Sequence, residues 1–169
     1  MDDKLNQILR DLVRGRAIAA LATLDQGEPF VSMVPYVLMG AGPDFLIHVS
    51  LLSAHTRHML QHPRVSLLVS AAEDAVDENG APIQPQALPR VTVQGDAIRL
   101  DSTGVDYANG KALYLERFPP AAQMFELPDF SLFKISVLSV RFIAGFGSAH
   151  SLGPEAWAQA VGVIPTSAD

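Results

Sequence analysis

The chain has 169 residues, 49% of them apolar, with 12 basic and 18 acidic side chains, a formal charge of −6 and no cysteine. That length suits one domain with a real core. The lack of cysteine excludes disulfides, thiolate nucleophiles, Cys-ligated zinc and iron–sulfur clusters, and the scattered Lys and Arg form no stripe to neutralise nucleic-acid phosphates.

The polar start Met1-Asp2-Asp3-Lys4 lacks the basic and apolar regions of a signal peptide, and no apolar run is long enough to span a bilayer. The expectation is a cytoplasmic protein with neither membrane nor nucleic acid as partner. Leu5, Ile8, Leu9, Leu12 and Val13 recur on one helical face, and Arg10, Arg14 and Arg16 lie where the helix dipole favours cations. This predicts a first helix that stops at Gly15. Ile18 to Leu24 is an uncharged strand, Asp25 to Glu28 a turn, and Phe30 to Leu38 a second strand, so a hairpin is expected. Pro35 has no N–H to give a ladder and belongs at an edge or bulge.

Gly40 to Pro43 is a second turn, and Phe45 to Val49 a third strand. Ser53 is placed to cap a short helix from about Ala54 to Gln61, ended from beyond by Pro63. Val65 to Val69 is a fourth strand. Residues 71–89 have no period of either kind and read as a mobile surface loop. Val91 to Leu100 alternates with a break at Gly95, which fits a strand carrying a bulge. A helix opens at Asp101 or Thr103, runs through Tyr107, Leu113 and Tyr114, and ends before Pro119-Pro120. Phe130 to Val137 and Val140 to Phe146 are the sixth and seventh strands. Pro154 to Val161 is a last helix that buries Trp157.

Six or seven strands with few intervening helices cannot make an alternating α/β sheet. The expected fold is mainly β: one domain over residues 1–169 built as a six- to seven-stranded antiparallel barrel, closed or split, with flanking helices. Residues 1–16 form its N-terminal helix and residues 153–169 its C-terminal helix and tail.

The stretch His55-Thr56-Arg57-His58-Met59-Leu60-Gln61-His62-Pro63-Arg64-Val65-Ser66-Leu67-Leu68 resembles the pyridoxamine 5′-phosphate oxidase-like FMN-binding split barrels, and within them most closely the haem-utilisation branch. Leu88 to Gly95, Leu127 to Phe133 and Arg141 to Ala149 agree in the same order. The resemblance implies a homodimer with two FMN sites at the subunit seam and the flavin phosphate gripped after the third strand. The residues agree on that last point, because Ser53-Ala54-His55-Thr56-Arg57 joins a guanidinium to a helix N-terminus. By resemblance, Ser32, Met33 and Val34, with His48, Val49 and Ser50, lie along the isoalloxazine ring, and Arg90 touches its polar edge.

Two departures narrow the reaction. The oxidases hold their substrate phosphate with a lysine and an arginine where this chain has Tyr36 and Phe118, which argues against pyridoxamine phosphate oxidation. Haem-degrading relatives ligate iron with a histidine in the tail, yet no histidine follows His150 here, while Asp129 matches an acidic position they place near the haem.

Other motifs carry less. His55, His58 and His62 share one side of a short helix, but no carboxylate follows at ligand spacing, so no metal site is expected. Gly145-Phe146-Gly147 sits before a short tail rather than a long helix and is a bend, not a dinucleotide loop. Asp74, Asp77 and Glu78 miss the calcium-loop spacing. The first expectation is therefore an FMN-binding flavoprotein, an oxidoreductase acting on a small-molecule substrate or electron donor. The alternatives are a haem-binding or haem-degrading protein of the same fold, with His150 or the His55/His58 cluster as ligand and Asp129 nearby, and a non-enzymatic split-barrel dimer.

Overall fold

The structure is a computed structural model and describes residues 1–39 and 43–162. The predicted turn at Gly40, Ala41 and Gly42 and the tail beyond Gly162 lie outside the described residues. Helix α1 (Asp3–Gly15) opens with the Asp2 carboxylate accepting the Leu5 amide at 2.8 Å and buries Leu9, Leu12 and Val13. Strands β1 (Ile18–Asp25) and β2 (Glu28–Pro35) form the predicted hairpin. Gln26 and Gly27, both at positive φ (51° and 91°), give its two-residue turn the twist that antiparallel strands need.

After β3 (Val37–Leu38) and β4 (Phe45–Ser50) come helix α2 (Ala54–Gln61), β5 (Arg64–Ser70) and β6 (Arg90–Arg99). Helices α3 (Val105–Arg117) and α4 (Ala122–Phe125) precede β7 (Phe130–Gly145), β8 (Ser148–Leu152) and α5 (Pro154–Ala160). The strands make one antiparallel sheet in the order β2-β1-β5-β6-β7-β4-β3, with β8 on β7. The two ends of that order are halves of one kinked strand, because β2 stops at Pro35 and β3 starts at Val37. The sheet thus curls round upon itself, and the split lies where Pro35 breaks the ladder.

Tyr36 marks that kink. It is fully buried, its amide donates to the Ala17 carbonyl at 3.2 Å and its hydroxyl to the Val13 carbonyl at 2.7 Å. Burial pushes its pKa up to about 12, offset in part by Arg117 and Arg16, so it stays a neutral donor. Tyr36→Phe leaves the Val13 carbonyl buried without that donor and is expected to cost about 1–1.5 kcal/mol, read as a lower urea midpoint at unchanged m-value.

Two expected strands are one. Phe130 to Gly145 run as a single 16-residue strand that pairs β6 along one edge and β4, then β8, along the other. The register shifts between Gln94 and Gly95, which face Ser139 and Val137, so Leu138 is the extra residue, 41% exposed. The break expected at Gly95 and the gap expected after Val137 are one irregularity seen from its two sides. Gly95 is needed there because a Cβ would collide with the Ser136 carbonyl oxygen. Strand β8, eighth in the sheet, went unpredicted.

Residues 71–89 hold a Val76–Pro82 bridge, an Asp77 carboxylate accepting the Asn79 and Ala81 amides, and a 3₁₀ turn at Pro85–Ala87. They form a chain of tight turns rather than a structureless loop. The main core lies inside the curl, where Leu21, Leu67, Val93, Ile135 and Phe142 meet α1 and α5. A second cluster joins α3 and α4 to the outer side of β3, β4 and β7 through Tyr114, Leu46 and Leu132. No helix among the described residues is long and apolar enough to cross a membrane.

Candidate functional site

Helix α2 covers one end of the curl, and the turn that leads into it is tied down from several directions. The Ser50 hydroxyl donates to the Asp129 carboxylate at 2.7 Å and accepts the Leu52 amide at 3.1 Å. The Leu51 amide donates to the Asp129 carbonyl at 2.6 Å, and the Thr56 hydroxyl to the Ser50 carbonyl at 2.7 Å. Ser50, Thr56 and Asp129 therefore spend polar groups on holding the mouth of α2 in place. Ser53 is the capping residue by position only: its side chain accepts no helix amide, against the expectation. Among the described residues, the amides of Ala54, His55 and Thr56 consequently have no acceptor.

Arg57 is exposed and donates from Nη1 to the Leu52 carbonyl at 2.8 Å, so its guanidinium folds back toward that mouth. His55 is half-buried, with Nδ1 3.1 Å from the Ser32 hydroxyl and with Nε2 buried and unpartnered. Burial and then neighbouring His58 hold its pKa below the usual histidine value, so the ring is uncharged at neutral pH. His58 is committed elsewhere, to the Thr23 hydroxyl at 3.0 Å, to Asp25 at 3.6 Å and edge-on to Phe30. His62 is exposed, and no three metal-binding side chains converge among the described residues.

The other predicted contacts disperse. Strand alternation sends the Val34 and Val49 side chains into the core, which leaves only their backbone for a ligand, while Met33 is 59% exposed on the opposite face of β2. His48 points to the α3/α4 side, stacked on Phe125 at 3.7 Å and flanked by Tyr114 and Phe130, with Nδ1 unpartnered. Its ring serves aromatic packing there. Arg90 pairs with Ser70 and Ile143, six residues and hence about 20 Å along β6 from the Asp96 that faces Arg64, just past the C-terminal end of α2. It donates to the Gln86 and Leu88 carbonyls and walls a hollow of about 340 Å³ beside Phe146. His150 lies at that same end, opposite Phe142, with Nε2 3.0 Å from the Ser148 hydroxyl.

The structure thus gathers Ser32, Ser50, Ser53, His55, Thr56, Arg57 and Asp129 at the mouth of α2, and Arg90 with His150 at the far end. The sequence reading missed the Thr23–His58–Asp25 chain, for which turn residue Asp25 was the one available signal. It also missed a cavity of about 480 Å³ walled by Tyr107, Phe125 and Phe130, assembled by α3, α4 and β7 from residues far apart in sequence.

A profile of the CREG β-barrel family matches residues 3–159. The chain belongs to that family. It is 31% identical over 144 residues to the chloroplastic non-canonical haem oxygenase HOZ of Arabidopsis thaliana, an alignment covering 83% of this chain and 40% of HOZ. It is 27% identical over 154 residues to the haem oxygenase HutZ of Vibrio cholerae, covering 90% and 83%. Among solved structures, a haem-binding protein from Mycobacterium smegmatis superposes with a TM-score of 0.80 at 28% identity, covering 94% of this chain and 62% of that one. A candidate pyridoxamine 5′-phosphate oxidase from Listeria innocua shares the fold at a TM-score of 0.61 and 13% identity, covering 83% and 99%. The split-barrel fold and the likeness to haem-utilisation proteins stand. The flavin expectation does not gain from these likenesses as the haem alternative does.

Proposed function

We propose that this CREG-family chain binds haem at the mouth of α2 and works in haem breakdown. The observation that carries the reading is the meeting at one helix end of three unspent amides, the tethered guanidinium of Arg57 and an uncharged imidazole with a free nitrogen. These groups fit haem chemically. A carboxylate finds N–H donors and a positive helix end, and iron finds nitrogen.

Bound haem would supply the iron at which oxygen is activated; the chain's residues would hold and orient it. Arg57 and the α2 amides would take a propionate, while the Ser50–Asp129 pair would fix the turn presenting them. Arg90 and His150 lie toward the opposite end of the sheet from that mouth in one chain, and a second copy would bring them to the same ligand. That copy is supported by the outer face of β2, β1 and β5, where Val31, Met33, Ile18 and Leu68 are exposed to 64, 59, 45 and 41%.

FMN is the second reading, because the same amides and guanidinium suit a phosphate equally well. Haem titration of purified protein separates them: an intense Soret band in a species of twice the chain mass is expected. Paired flavin bands with no Soret response would reverse the order of the two readings. With Arg57→Ala, haem affinity is expected to fall about 10-fold, in line with about 1.5 kcal/mol for a charge-assisted contact.

A further inference from the structure

We infer that His55 ligates the haem iron through Nε2 and that Ser32, on the facing strand, positions it for that task. This rests on the haem reading above and deepens it. A metal-binding histidine needs a bare lone pair on one ring nitrogen and an oxygen to receive the N–H of the other, which fixes both the tautomer and the ring plane.

His55 meets both conditions in its Nδ1-protonated tautomer, in which that N–H donates to the Ser32 hydroxyl and the Nε2 lone pair is bare. Its Nδ1 lies 3.1 Å from the Ser32 oxygen, and its Nε2 is buried with no partner. Its backbone is set independently, because Thr56 next to it donates to the Ser50 carbonyl and anchors the first turn of α2. Ser32 faces it from the same row of β2 as the buried Val34, so neither side of the contact is on a free-swinging loop. A buried nitrogen without a partner is a standing cost to the fold, which is recovered once that nitrogen binds a ligand.

The other four of the chain's five histidines are less suited. His58 has Nδ1 on Thr23 and Nε2 toward Asp25. His150 also has a hydroxyl, that of Ser148, on Nε2, but it pairs with Phe142 at the far end of β7 from the amides and guanidinium of α2. His62 is exposed with no oxygen orienting it among the described residues. His48 also has an unspent nitrogen, but its ring lies flat against Phe125 and no oxygen receives its N–H among the described residues. Only His55 combines a free buried nitrogen with an orienting hydroxyl. Since Nε2 is shielded from solvent, neighbouring side chains must shift before iron reaches it, and ligation is expected as a slower phase after haem capture.

The test is spectroscopic. Haem is titrated into the full-length wild-type chain and into His55→Ala, His55→Gln, Ser32→Ala and Ser32→Thr, each first checked for a wild-type circular dichroism spectrum. After reduction with dithionite in the absence of oxygen, wild type is expected to show a histidine-ligated ferrous iron by resonance Raman. Both His55 variants should lose that signature, and added imidazole should restore a nitrogen-ligated spectrum to His55→Ala. Ser32→Ala should keep the ligand but shift the iron–histidine stretch and weaken affinity by about 10-fold or more, with Ser32→Thr close to wild type.

A His55 variant that keeps the wild-type stretch overturns the ligand assignment while leaving haem binding intact. An unshifted stretch and unchanged affinity in Ser32→Ala overturn the positioning role alone. A wild-type chain that takes up no haem overturns both the assignment and the reading beneath it.

Discussion

Acidification from pH 7 to pH 4 is expected to cost the fold about 3 kcal/mol through His48 alone. The ring is 6% exposed, stacked on Phe125 and edged by Tyr114 and Phe130. Burial, assisted by the charge of Lys111, lowers its pKa from 6.5 to about 4. In the unfolded chain the same imidazole takes up a proton as the pH falls through 6.5, whereas in the folded chain it does so only near 4. Between those values the unfolded state binds more protons, so stability falls steadily with pH and the loss is complete below about 4. His48→Phe removes the titrating group and the unpartnered Nδ1 while keeping an aromatic ring against Phe125. It should match or exceed wild-type stability at pH 7 and lie about 3 kcal/mol above it at pH 4. Urea midpoints of the two proteins at pH 7, 5.5 and 4 decide the matter, since carboxylate titration is common to both. Parallel pH profiles would show that His48 is not buried neutral.

Much of the fold was legible because its signals are local. Apolar alternation gave the ladder strands, the Asp25–Glu28 turn gave the hairpin, and Pro63 and Pro119 stopped helices where their missing N–H groups require. The breaks at Gly95 and after Val137 were each visible in the chain. That they are a single bulge was not, because which residue faces Gly95 is a matter of pairing with Val137, 42 positions along the chain.

The site followed the same division. Ser53 to Arg57 announced themselves as a helix start with a cation, and the ordered motifs of the resemblance singled out Ser32, Ser50 and Asp129. What could not be read was direction. A period of two tells which residues share a face but not which face is inside, so Met33 stood beside Ser32, and Val49 beside Ser50, until the sheet separated them. Distance was equally hidden, and Arg90 at the far end of β6 is the result.

Trp157→Ala is expected to cost about 3–5 kcal/mol, the range for losing a buried large aromatic. The indole is fully buried, stacks on Phe45 at 5.9 Å with 18° between the rings, and donates Nε1–H to the Pro43 carbonyl at 2.7 Å. It is the pin that holds α5 to the barrel. Two further ties depend on that pin, because Arg10 and Arg14 of α1 donate to the Ala160 and Val161 carbonyls at the end of α5. Removing the indole opens a cavity and leaves both guanidiniums facing a helix that has lost its anchor. Trp157→Phe keeps a ring for Phe45 but not the bond to Pro43, so it should fall by a smaller step, with about 1–1.5 kcal/mol of the loss from the hydrogen bond. Circular dichroism must follow the alanine variant, since Trp157 is the sole tryptophan. Helix α5 packs on α1, β7 and β8, whereas the mouth of α2 is built from α2, β2 and the turns after β4 and before β7. Haem uptake per folded molecule should therefore match wild type in both Trp157 variants. A stable Trp157→Ala chain would show that α5 is held by the two arginines alone.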